Sequence, residues 1–129
     1  MTDFINSAAI APPFSTYSHA ALVPAGTRLM FLSGQLGVAP DRAVPEGCAA
    51  QARLCFANIA AVLAEAGMTL SDIVRINAFV AAREHLAPYM DVRNALFASP
   101  GPASTLMIVT GFARPEFVVE VEVVAAAPD

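Results

Sequence analysis

The apolar positions of this chain recur at two different intervals, and the changes between them mark its elements. From Ile73 to Val80, Val74, Ile76, Ala78 and Val80 alternate with Ile73, Arg75, Asn77 and Phe79. That period of two predicts a strand whose sides meet different surroundings. The same alternation runs through Phe117 to Ala125, and shorter runs at Ala20–Val23, Leu29–Ser33 and Thr105–Thr110 read as further strands. Between the first two, Pro24-Ala25-Gly26-Thr27 supplies the proline and glycine that a tight turn requires, so the sequence predicts a hairpin there. A Pro-containing loop, Gly37 to Pro45, leads into Gly47–Ala66, where Leu54 or Cys55, Ile59, Val62, Leu63 and Ala66 repeat at helical spacing. Gly67 suits the left-handed residue that stops such a helix. A second helix follows Val80: Pro88 is tolerated in its first turn, Tyr89, Val92, Leu96 and Phe97 share a face, and Ser99-Pro100-Gly101-Pro102 ends it.

The resulting order, β-β-α-β-α-β-β without internal repeats, predicts an α+β fold with one mixed sheet and two helices on one side. The other side of the sheet is then uncovered. In the last strand Val119, Val121 and Val123 face the helices, which turns Glu120 and Glu122 to the open side. A cover for that side must accept carboxylates as well as apolar groups, and further copies of the chain are the simplest supply.

Composition sharpens this expectation. With 129 residues the chain fits a single domain, 1–129, and it is 57% hydrophobic but only 14% charged, against roughly 25% in an average domain. The apolar surplus points to a permanent oligomer. It is not read as a membrane signal, because charged residues recur along the chain, among them Arg28, Asp41, Arg53, Glu65, Arg75, Arg93 and Glu120. The opening MTDFINSAAIAPPF has an acid and no signal-type apolar core, so the expected location is cytoplasmic.

All seven basic residues are arginines. Lysine Schiff-base chemistry, pyridoxal phosphate and P-loop phosphate binding are therefore excluded. The net charge of −4, with no basic run, argues against nucleic acid as a partner. Cys48 and Cys55 lie seven apart, two turns along one helix face, too distant for a disulfide and suited to the core. With only His19 and His85 beside them, no metal-ligand spacing appears, and no metal site is expected.

Several segments together resemble the RidA/YjgF family: TYSHAALVPAG, LMFLSGQLGVAPD, QARLCFANIAAVLAEAGMTLSDIVRINAFVA, PGPAST and VVEVEVVA, in family order and across nearly the whole chain. The resemblance implies a chorismate-mutase-like fold, a homotrimer, and small-molecule clefts between subunits. It also implies hydrolysis of amino-acid-derived enamines or imines to keto acids and ammonia, without metal or organic cofactor. Family cleft positions match Tyr17 and Glu120, as catalytic candidates, and Ser33 and Gly34, as substrate-binding candidates. In the family's deaminases an arginine follows the Pro-Ala of the late strand and grips the substrate carboxylate at two points, which serine cannot do. Here that position is Ser104, left with one neutral hydrogen bond to offer. The family's second-helix asparagine falls at Met90 and its late-strand cysteine at Leu106, making the implied cleft more apolar.

Each candidate also has a plain structural reading. Ser33-Gly34 can end a strand, Tyr17 can be a packed aromatic, and Glu120 with Glu122 can form a solvated strand face. Glu122 is read as structural and His19 as a surface or interface residue. Arg28, Arg75 and Arg114 stand near strand ends where a replacement grip could arise, whereas Arg53 and Arg93 read as exposed helix residues. The leading expectation is a trimer whose clefts bind, and in its enzymatic form hydrolyse, a small carbonyl, imine or enamine compound. The rival is a non-catalytic binding or regulatory trimer, and ribonuclease activity ranks last on charge.

Overall fold

The computed structural model describes all 129 residues. Its strands are β1 (Asp3–Ile5), β2 (Ala20–Leu22), β3 (Arg28–Phe31), β4 (Gln35–Leu36), β5 (Ile73–Val80), β6 (Ala103–Ile108) and β7 (Val119–Ala127), with helices α1 (Cys48–Ala64) and α2 (Leu86–Leu96). The main sheet runs β3-β7-β5-β6, with β4 also on β7; β5 and β6 are parallel and the other pairs antiparallel. This is the mixed sheet with two helices that the periodicity predicts.

The alternation fixes which side is covered. Val119, Val121, Val123 and Ala125 of β7 and Ile76, Ala78 and Val80 of β5 are buried with Cys55, Phe56, Ile59 and Leu63 of α1 and Tyr89 of α2. Burying an aliphatic side chain of this size contributes about 1.5–3 kcal/mol, so this layer carries most of the stability. Gly67 stops α1 at φ +69°, as expected. Both cysteines are buried and free.

The predicted hairpin does not form. The turn closes, with Gly26 at φ +81° and the Thr27 hydroxyl donating to the Pro24 carbonyl at 2.6 Å, but β2 pairs with β1 and β3 pairs with β7. Turn residues specify a reversal of direction and not the partner. The nine-residue β7 offers β3 a longer ladder, and Pro24 has no N–H to extend one from β2. The short strands β1 and β4 carry no alternation long enough to be read from sequence.

Two polar side chains, the buried Gln51 and the half-buried Asn58, hold the loops around the start of β7. Gln51 of α1 donates to the Pro45 and Glu116 carbonyls and accepts from the Val118 N–H. Asn58 donates to the Leu36 and Val38 carbonyls. No helix of the chain is long and apolar enough to cross a membrane.

Candidate functional site

The candidate residues fall into two groups. The first lies around Glu120. Between β3 and β4 the chain takes four steps, Phe31 to Gln35, while its partner β7 takes three, Val124 to Val121. The extra residue makes a β-bulge at Leu32–Gly34, which leaves Ser33 exposed. Gly34 lies against the Glu120 carboxylate: a Cβ on Gly34 would stand 2.7 Å from Oε2. Its φ is not positive, so glycine is needed for this close approach rather than for a turn. No hydrogen bond or ion pair within the chain holds the half-buried Glu120.

The other carboxylate of the strand is bound. Glu122 accepts from Asn77 Nδ2 at 3.1 Å, Asn77 Oδ1 accepts from Arg75 Nε at 3.0 Å, and Arg75 Nη2 donates to Thr105 Oγ1 at 2.7 Å. This chain of bonds crosses β7, β5 and β6 on the open face and bears out the structural reading of Glu122.

The second group lies at the edge of β6. The Ser18 N–H donates to the Pro102 carbonyl and its hydroxyl to the Gly101 carbonyl at 2.6 Å, setting Tyr17 beside the start of the strand. Gly101 permits this, since a Cβ there would overlap the Thr16 carbonyl. The half-buried Tyr17 accepts at its hydroxyl from the Phe14 N–H at 3.2 Å. Ser104 pairs with Ile76 and Leu106 with Ala78, so both point to the helix-covered side. The Ser104 hydroxyl is buried without a hydrogen-bond partner.

Within one chain the two groups cannot meet. Glu120 is in register with Phe79 and, through it, Met107; Ser104 is three residues earlier on β6, two strands away. Standard sheet spacings separate the two α-carbons by about 14 Å, and the side chains leave opposite faces. A cavity of about 750 Å³ lies between the β1 region, Leu96–Pro100 and the C-terminal Ala126–Pro128, and none of the candidates lines it.

The arginines resolve differently from expectation. Arg28 donates to the Ala66 and Pro128 carbonyls, Arg75 is held by Asn77 and Thr105, and Arg114 pairs with Glu116 at 2.6 Å. The Arg114 guanidinium holds the exposed Glu116 carboxyl below its usual range. Arg53 is exposed as read, but Arg93 is not: it is only 5% exposed. Its place four residues after Tyr89 puts it on the buried stripe of α2, a signal present in the sequence. Leu96, assigned to that stripe, is 42% exposed instead. His19 ties down the N-terminal arm, its Nδ1 accepting from the Ser7 N–H and its Nε2 donating to the Ala11 carbonyl.

Comparison with known proteins agrees with the motifs. Residues 8–127 match the family described as Endoribonuclease L-PSP. The chain is 33% identical to the RutC family protein YjgH of Escherichia coli, over 90% of this chain and 88% of that one. It is also 33% identical to a 2-iminobutanoate/2-iminopropanoate deaminase of Dermatophagoides farinae, over 77% of each. Among solved structures, the Rid-family protein YyfB of Yersinia pestis superposes with a TM-score of 0.85 at 28% identity, covering 98% of both chains. The chain thus belongs to the Endoribonuclease L-PSP family, the RidA/YjgF family that its motifs resemble.

Proposed function

We propose that the protein works as a homotrimer of chorismate-mutase-like subunits, with each site assembled from two copies. One copy supplies Tyr17 and Ser104 from the edge of β6, and its neighbour supplies Ser33, Gly34 and Glu120. The observation that carries this reading is the separation of the two groups onto opposite faces of one chain. The open face supports it: Leu29, Phe31 (74% exposed) and Met107 flank the Glu122–Asn77–Arg75–Thr105 chain, presenting apolar and polar groups together.

The ligand in this reading is a small carbonyl, imine or enamine compound. Glu120, free of internal partners, accepts a proton from water as its oxygen adds to the imine carbon. That proton passes to the nitrogen, the tetrahedral adduct collapses to a carbonyl, and ammonia leaves. The Tyr17 hydroxyl and the unpartnered Ser104 hydroxyl are the donors for the polarised group. Ser104 offers no two-point grip from β6, so imines of ordinary small amino acids are poor substrates.

Ammonia release from a panel of enamines and imines generated in place tests this. The wild type is expected to hydrolyse members of the panel and Glu120→Gln to lose the activity, with Ser104→Arg gaining on the 2-aminoacrylate-derived imine. Saturable binding without release of ammonia from any member would instead identify a non-catalytic trimer.

A further inference from the structure

Arg93 presents an unusual arrangement for a cation. It is 5% exposed, yet no carboxylate pairs with it, the only ion pair of the chain being Arg114–Glu116. Its partners are neutral: Nη2 donates to Ser15 Oγ at 2.9 Å and to Asn94 Oδ1 at 3.2 Å, and Nε donates to Asn94 Oδ1 at 3.3 Å. Nη1 has no partner in the chain. Burying a charge without a counter-charge is costly, and native chains pair such groups or reserve them for a ligand.

Its position is informative. Ser15 lies two residues before Tyr17, whose hydroxyl accepts from the N–H of the preceding Phe14, and the Tyr17–Ser18 segment runs beside Ala103 of β6. Arg93 is also one helical turn beyond Met90, where the family's asparagine falls. The two buried side-chain oxygens of the chain that lack a hydrogen-bond partner are Ser104 Oγ on β6 and Tyr89 OH on α2. The Tyr89 ring lies beside the guanidinium, with the Arg93 carbon 5.8 Å from its centroid, and its hydroxyl lies close to Arg93 without completing a hydrogen bond to it. Buried hydroxyls without partners are rare enough to call for one.

We propose that Arg93 is the anion anchor of the cleft. The guanidinium that the family's deaminases place on β6 is supplied here from α2, so the ligand is a carbonyl or imine compound that carries a carboxylate. This rests on the cleft reading given above and adds the ligand's charge and the direction from which it is held. Ser15 and Asn94 lie at the rim, and their neutral oxygens give way to a carboxylate, which makes the shorter, charge-assisted bonds with a guanidinium. Because the anchor stands on α2 and not on β6, the carboxylate lies in a different place relative to Glu120, and the favoured chain length differs from that of a small amino-acid imine.

Calorimetric titration with pyruvate, 4-oxopentanoate and neutral butanone tests the proposal. At least one oxo acid is expected to bind more tightly than butanone. Arg93→Gln is expected to weaken that oxo acid about 10- to 100-fold while leaving butanone unchanged, and Arg93→Lys to lie between. If Arg93→Gln fails to fold, Arg93→Lys still reads the loss of the fork. Oxo acids no tighter than butanone, or affinity indifferent to both substitutions, would overturn the proposal and leave the cleft reading standing. Failure of all three probes, butanone included, would overturn both.

Discussion

Glu120 and Glu122 sit two residues apart on the same face of the same strand, yet their surroundings are opposite. Glu122 ends a chain of hydrogen bonds that runs through Asn77 and Arg75 to Thr105 across three strands. Glu120 touches the bare backbone of a bulge at Gly34 and has no bonded partner. The difference shows how a strand separates roles: the alternation sends both carboxylates to the open face, and the neighbouring strands decide which is spent on structure. Where β5 and β6 stand beside Glu122 with amide and hydroxyl groups, they offer Glu120 only Phe79 and Met107.

The comparison breaks most visibly in turnover. Glu120→Gln is expected to lower the rate of imine hydrolysis by at least about 100-fold, the usual contribution of a positioned general base, with an unchanged melting temperature. Glu122→Gln should leave the rate within a few-fold. Equal losses in steady-state assays of the two variants would remove the distinction.

Gly34→Ala is next in size. Its Cβ meets the far end of a flexible side chain, so the carboxylate swings aside at little cost in stability. A loss of about tenfold in turnover, with a melting temperature close to wild type, is expected, and a large drop in melting temperature would show that the glycine serves the fold instead.

Asn77→Ala acts on the other side of the comparison. Removing the link between Arg75 and Glu122 is expected to cost about 1–2 kcal/mol in denaturant unfolding, with Glu120 chemistry retained per folded site. No change in stability would mean that the chain of bonds across the sheet is incidental.

Much of this was legible in the sequence, and the failures are instructive. The long strands β5 and β7 and both helices follow from apolar spacing, because eight or more residues of alternation or a full helical stripe leave little choice. The facing of Glu120 follows from the same parity. Its difference from Glu122 does not, since it depends on partners 45 residues away. The hairpin reading failed because a turn does not choose the strand's partner. Arg93 departs from the exposure that its charge predicts, because its helical spacing from Tyr89 places it on the buried stripe. Gly34 was visible as a residue, but its contact with Glu120 arises from a one-residue bulge that no spacing announces.

The smallest expected effect comes from the covered side of β7, where no anion is tolerated. Burial pushes the Cys48 thiol up to about 11 and the Cys55 thiol, with added repulsion from Cys48 and Glu120, up to about 12, from an ordinary value of 9.0. The folded state therefore favours neutral thiols. Their contribution is complete below pH 9 and declines as the pH rises from 9 toward 11–12, where the unfolded chain gains by ionising first. Thermal unfolding between pH 8 and 10.5 should show this decline, and Cys55→Ala should flatten it. A profile unaffected by that substitution would assign the decline to other groups.

Because both native thiols are buried and resist ionisation, new surface cysteines can be addressed alone. The double variant Tyr17→Cys/Ser33→Cys, treated with a short bis-maleimide and run on a denaturing gel, therefore tests whether the two halves of the site meet between copies. The account predicts cross-linked dimers and trimers at concentrations where random collision is negligible. A single band at the mass of one chain, with both cysteines modified, would contradict it.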